Sequence, residues 1–162
     1  MCECDMRRRG NVIESLREAF RDSSQCCCEN RHLDLERGDV LWFLKNLSLF
    51  DHITQKHLLS TAMRLALDGR CDSGMRREWV EEIVAFVDVR CFLVDDYLAS
   101  EIYLSNERRF SAYGLAESRS VLDWLLYVRE CQYERELLEM LSTAISYWSE
   151  RVSQMTIEEQ AT

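Results

Sequence analysis

The chain has 162 residues, and its 29 acidic against 20 basic side chains give a net charge of −9. With five glycines and no proline, it lacks the residues that collagen, proline-rich linkers and turn-dense β-sandwiches or barrels require. The acidic balance argues against a nucleic-acid or anionic-membrane surface, since both need clustered positive charge. A chain of this length can bury one core, so we expect a single all-α domain over residues 1–162.

Targeting segments are not expected at either end. Arg7, Arg8 and Arg9 are not followed by the apolar stretch of a signal peptide, and no segment approaches the ~18 apolar residues that span a bilayer. We take residues 1–10 as a flexible N-terminus and the polar residues 155–162 as a tail without an anchor. The eight cysteines are then expected to be reduced thiols of a cytoplasmic protein.

Apolar residues at helical spacing predict the first three helices. Residues 11–22 place Val12, Leu16 and Phe20 on one face, and a second helix aligns Val40, Leu44 and Leu47. A third helix follows over residues 55–68, with Thr54 as the expected N-cap. Its inner face consists of Leu58, Leu59, Ala62, Met63, Leu65 and Ala66.

The next predicted helix, residues 75–98 with Ser73 as N-cap, differs from the others. From Ile83 to Val94 it is apolar on nearly every side, and such a helix must be enclosed by others unless it crosses a membrane. We therefore expect a globular bundle of about seven to eight helices around a central hydrophobic helix at about residues 79–94.

The remaining pattern predicts helices over the last third of the chain. After a helical stretch at 97–104 and a connection at 105–114, Ser118 or Ser120 is the expected N-cap of the next helix. The last helix has the clearest spacing, through Leu137, Leu141, Ala144, Trp148 and Val152. No breaker separates these two segments, which are either one long helix or two with a bend near Cys131.

Catalytic and cofactor motifs are missing. There are three histidines and no His-Glu-x-x-His, Gly-x-Ser-x-Gly, phosphate-cradling or dinucleotide-binding pattern, so we expect neither an enzyme nor a cofactor. Cys2, Cys4, Cys26–Cys28 and His32 contain enough ligands for zinc, but their spacing is poor for a structural site. We favour unpaired thiols and keep a helical zinc-binding regulatory protein as an alternative.

The segment Leu58 to Val94 resembles the first homology segment of the Bcl apoptosis regulators. Leu65-Ala66-Leu67-Asp68-Gly69 is followed by Trp79 and by Ile83-Val84-Ala85-Phe86-Val87-Asp88-Val89. In that family an apolar-x-x-Asp-Gly helix end precedes Asn-Trp-Gly-Arg and an Ile-Val-Ala-Phe-like central helix. Here Val80, Glu81 and Glu82 stand where the family has Gly-Arg, and no Gly-Gly-Trp second segment is present.

The resemblance implies an anti-apoptotic protein that sequesters amphipathic helices of pro-apoptotic partners in a hydrophobic groove. It implies a groove edged by Trp79, Ile83 and Phe86, with Leu44, Leu47, Leu58 and Met63 as walls. Arg76 or Arg77 would replace the family arginine that pairs with the ligand's aspartate. Such a protein would act in the cytoplasm, which for a viral member is the cytoplasm of the host cell. An exposed apolar groove could equally mediate a homodimer.

A second resemblance keeps a death-effector-type adaptor module as an alternative. It rests on Asp39-Val40-x-x-Phe43-Leu44-Lys45 and on Val80 through Arg90-Cys91-Phe92-Leu93. Phe92 stands at the aspartate of that family's Arg-x-Asp-Leu motif, so its charged triad is broken. The adaptor module predicts assembly through charged surfaces that is sensitive to salt.

Overall fold

The computed structural model describes residues 3–21, 42, 44–46, 50–67, 73–88, 106–131 and 135–161. These residues confirm the all-α class, since they contain helices and no strand. The long helices are α1 (Glu3–Ala19), α2 (His52–Leu67), α3 (Ser73–Val87), α4 (Leu115–Cys131) and α5 (Arg135–Gln160). With the short helix at 106–111 they make six, fewer than the seven to eight predicted; residues 42, 44 and 45 of the described part are helical as well.

The chain forms two compact units, Met1–Phe86 and Val87–Thr162. Helices α1 and α2 pack against each other in the first unit, and α4 packs against α5 in the second. The single domain predicted for residues 1–162 remains a prediction.

Helix α1 buries the stripe that its spacing predicts, with Val12, Leu16 and Phe20 all in the core. It begins at Glu3, well before the predicted start at residue 11 and inside the stretch predicted to be flexible. The added turns are rich in arginine, and Met6 is exposed there. Apolar periodicity could not detect these turns because they bury little apolar surface.

Helix α2 is capped by Asp51, not by Thr54 as predicted. One carboxylate oxygen of Asp51 accepts the backbone N–H groups of Ile53 and Thr54, each at 3.0 Å, and the other accepts the Thr54 hydroxyl at 2.7 Å. These bonds satisfy amides that have no partner within the helix. The hydrogen bond from Thr54 is the main reason why the pKa of Asp51 is lowered.

Helix α3 ends at Val87, which corrects the predicted end at residue 98. Its terminal carbonyl groups are satisfied by side chains: Trp148 donates to the Val87 oxygen at 3.0 Å and Asn106 to the Asp88 oxygen at 3.5 Å. The helix is also not enclosed on all sides as predicted, because Ala85 is exposed and Phe86 is half-buried. Residues 89–94 of the predicted hydrophobic stretch lie outside the described residues.

Helices α4 and α5 form an antiparallel hairpin, so the alternative of two separate helices is correct. The start of α4 meets the end of α5, where the Arg119 guanidinium donates to the Thr156 hydroxyl at 3.1 Å. Leu137, Leu141, Ala144 and Trp148 are buried along α5 as their spacing predicts. Helix α5 continues to Gln160, through most of the predicted polar tail.

Helix α4 is not capped by Ser118 or Ser120, although the sequence predicted one of these serines as its N-cap. The Glu117 carboxylate reaches back to accept the Gly114 backbone N–H at 2.8 Å, which is one half of a capping box. Ser118 and Ser120 lie within the helix and are buried. No helix within the described ranges has both the length and the apolar character that crossing a bilayer requires.

Candidate functional site

The predicted groove edge lies on α3 in the first unit, but its central residues belong to the core. Trp79 is 1 % exposed, and Ile83, one helical turn later, is fully buried. Phe86 is half-buried and sits beside the exposed Ala85. Of the three edge residues, Phe86 is therefore the one that solvent reaches.

The predicted wall residues are buried as well. Leu58 and Met63 lie on the inner face of α2, and Leu44, a helical residue that precedes α2 in the chain, is buried as well. Leu47 lies outside the described residues. The hydrophobic residues that sequence reasoning assigned to the groove are thus brought into one unit, where they pack as core side chains and not as an open channel.

Trp79 carries a buried polar atom that its surroundings do not satisfy. Its indole N–H is inaccessible to solvent and has no hydrogen-bond partner among the residues that the structure describes. A buried donor left without an acceptor costs about 1–3 kcal/mol. The closed packing around Trp79 is therefore less stable than its apolar contacts alone would make it.

The two candidate arginines follow each other on α3. Arg76 lies within the helix, and the exposed Arg77 donates from Nε to the Glu81 carboxylate at 2.8 Å. Both side chains of this pair are about half exposed, so water screens it and it contributes little to stability. The Arg77 guanidinium can therefore exchange Glu81 for another carboxylate at low cost.

Sequence reasoning missed a surface beside the predicted groove. Trp42 is 57 % exposed, and three residues later Lys45 places its ammonium group 3.6 Å from Glu78 and 3.7 Å from Glu82. These two ion pairs place Lys45 beside the outer face of α3, and their exposure makes them weak. The available signal was the position of Trp42, an aromatic residue outside the stripe of Val40, Leu44 and Leu47.

Most residues of the predicted zinc site and of the death-effector motif lie outside the part of the chain that the structure describes. Cys2, Cys26–Cys28 and His32 lie outside the described residues, as do Arg90–Leu93 of the death-effector resemblance. Cys4 lies within α1. Over the described ranges, no group of three or more histidine, cysteine, aspartate or glutamate residues could hold a metal ion.

Comparison with known proteins gives no match to a family model, to a curated protein or to a solved structure. The resemblance to Bcl apoptosis regulators therefore stays a hypothesis that rests on the quoted residues.

Proposed function

We propose that this chain is an anti-apoptotic, Bcl-like binding protein that sequesters amphipathic helices of pro-death partners. Its action is stoichiometric binding, not catalysis, and takes place in the cytoplasm. The all-helical fold and the position of the Trp79, Ile83 and Phe86 segment on one helix of the first unit support the proposal. The observation that carries it is the unsatisfied indole N–H of Trp79.

The buried indole N–H favours binding because it raises the free energy of the closed state. An opening of the packing around Trp79 would give this donor an acceptor, from water or from a ligand, and recover part of the cost of burying it. The same opening would expose Ile83 and Met63, which are fully buried in the closed state. The apolar face of an incoming helix would cover them, as in other helix-in-groove complexes.

Residues at the rim of the opened groove would orient the bound helix. Trp42 and Phe86 offer aromatic surface, and large aromatic side chains are frequent anchors at protein interfaces. Arg77 offers a guanidinium group whose present carboxylate partner is exposed and weakly held. The preferred ligand is therefore an amphipathic helix with regularly spaced apolar residues and one acidic residue beside them.

Calorimetric titration of the full chain with a panel of pro-death helical peptides tests the proposal. We expect binding with a micromolar or lower Kd for peptides that carry the acidic residue. Arg77→Glu should weaken binding about tenfold, or about 1.4 kcal/mol, and a peptide with lysine at the acidic position should restore part of it. A flat response of the unmodified chain across the panel would overturn the proposal.

Arg135→Glu is the matched control for this experiment. Arg135 also pairs with a glutamate four residues later, at 3.0 Å and on an exposed surface, but it lies on α5 in the second unit. Its reversal should leave peptide affinity unchanged. Equal losses for both variants would show that the effect comes from net charge and not from Arg77.

A further inference from the structure

Helices α1 and α2 border a half-open cavity of about 200 Å³ in the first unit. Leu16 of α1 and Phe20, which directly follows that helix, line one part of it. The other lining residues are polar or basic: Arg17, Arg21, His57, Ser60 and Arg64. Among the residues that the structure describes, no acidic side chain lines this cavity, although the chain as a whole carries a net charge of −9.

Arg64 is held in place by its own helix. Its Nε donates to the Ser60 carbonyl oxygen at 3.4 Å, and Nη2 donates to the Thr61 hydroxyl at 3.2 Å. Both acceptors are neutral, and Arg64 forms no ion pair with a carboxylate in the described part of the chain. The guanidinium group is half-buried and oriented, and no described carboxylate neutralises its positive charge.

The basic groups of the cavity are close enough to affect one another. Burial lowers the pKa of Arg64, and the positive charge of Arg17 lowers it further. Burial also lowers the pKa of His57, with a second contribution from Arg64. Arg17 pairs with the Glu14 carboxylate on the same helix at 3.2 Å, and that pair is more than half exposed.

We infer that this cavity binds a small phosphate-bearing anion, either inorganic phosphate or a phosphate monoester. An anion between Arg17 and Arg64 would replace their mutual repulsion by two charge-assisted contacts, and guanidinium groups suit phosphate oxygens because their N–H donors form a planar fork. His57 and Arg21 line the same space and add further positive or polar groups. The inference does not depend on the proposed binding of helices.

Size and net charge limit the ligand to a small anion. Pockets that hold drug-sized molecules measure about 300–1,000 Å³, so a cavity of about 200 Å³ suits a small anion better than a drug-sized ligand. The overall negative charge would repel a nucleic acid or an anionic membrane, whose many phosphates extend beyond one recess. A single phosphate group inside the cavity avoids most of that repulsion.

Titration of the full chain with inorganic phosphate at constant pH and ionic strength, followed by NMR of the histidine rings, tests the inference. Glycerol phosphate in a parallel titration separates a monoester from the free ion. We expect saturable shifts of the His57 resonances with at least one of the two. His52 begins the same helix but is exposed and outside the cavity lining, so its resonances serve as an internal control.

Variants on α1 and α2 test whether phosphate binding depends on the residues of this cavity. Arg64→Met and Arg17→Met should each weaken binding at least about tenfold, since a charge-assisted hydrogen bond is lost. Arg17 is more than half exposed, so its variant tests the site even where Arg64→Met alters folding. Arg119→Met, on α4, should bind phosphate as the unmodified chain does. Absence of saturable binding, equal shifts of His52 and His57, or unchanged affinity in Arg17→Met would overturn the inference.

Discussion

Trp148 donates its indole N–H to the backbone carbonyl oxygen of Val87 at 3.0 Å, linking residues 61 positions apart in the chain. Trp148 is fully buried and is surrounded by other rings, with the Phe110 ring centre 5.0 Å away and that of Tyr113 5.7 Å away. The bond satisfies a carbonyl group at a helix end, where no intrahelical donor is available. The second unit therefore has a polar contact inside its aromatic core.

Trp148→Phe should lower the free energy of unfolding by about 2–4 kcal/mol, because it leaves the Val87 oxygen buried without its donor and opens a void among the rings. Urea denaturation followed by far-ultraviolet circular dichroism measures the change. A loss below ~1 kcal/mol would show that the Val87 oxygen finds water or another donor.

Trp79→Phe is the matched substitution in the first unit, and we expect it to cost less. It removes an indole N–H that has no acceptor among the described residues, so relief of that unsatisfied donor offsets part of the void. The loss should be at most about 1 kcal/mol in the same denaturation experiment. Peptide binding should also weaken, because the closed state no longer contains the unsatisfied group; a loss equal to that of Trp148→Phe would refute this interpretation.

Asp51→Asn separates the charge of the α2 cap from its geometry. The hydrogen bonds from Thr54 and Ile53 hold the pKa of Asp51 below its ordinary value of 3.8. The folded state thus binds the proton less readily than the unfolded state, and this stabilisation is complete above about pH 4 and decreases as the pH falls through the lowered pKa. Asparagine caps helices well but does not titrate here. Thermal unfolding should therefore lose less stability between neutral pH and pH 2 in the variant than in the unmodified chain.

His57→Gln tests the same proton preference at a second group, which lines the cavity. Burial and the charge of Arg64 lower the pKa of His57 below 6.5, so the unfolded chain takes up this proton first as the pH falls. The stability of the folded state should decrease as the pH falls through 6.5 toward the lowered pKa. The variant should lack this decrease, whereas His52→Gln should retain it; a pH profile unaffected by His57→Gln would contradict the assignment.

Apolar periodicity predicted the helices that have one apolar and one polar side. Leu137, Leu141 and Trp148 repeat at helical spacing, and all three are buried on α5. The helix ends were harder to predict. Asp51 and Thr54 are both good capping residues three positions apart, and the geometry of the turn decides between them. The apolar sequence continues beyond Val87, so nothing local indicates that Trp148 satisfies the helix end there.

The candidate site could be predicted only in part, since hydrophobicity predicts burial but does not distinguish a groove from a core. Ile83 and Met63 were assigned to a groove by resemblance and are fully buried. The basic cavity was not predicted because Arg17 and Arg64 are 47 positions apart and meet only when α1 packs on α2. Each residue alone is typical of an exposed helix face.

The uneven exposure of the four tryptophans provides an optical reporter. Trp42 is 57 % exposed, whereas Trp79, Trp124 and Trp148 are each at most 1 % exposed. An aqueous quencher such as iodide should therefore reduce the emission of Trp42 first and leave the blue-shifted emission of the other three. A ligand that covers Trp42 would protect its fluorescence without the attachment of any dye.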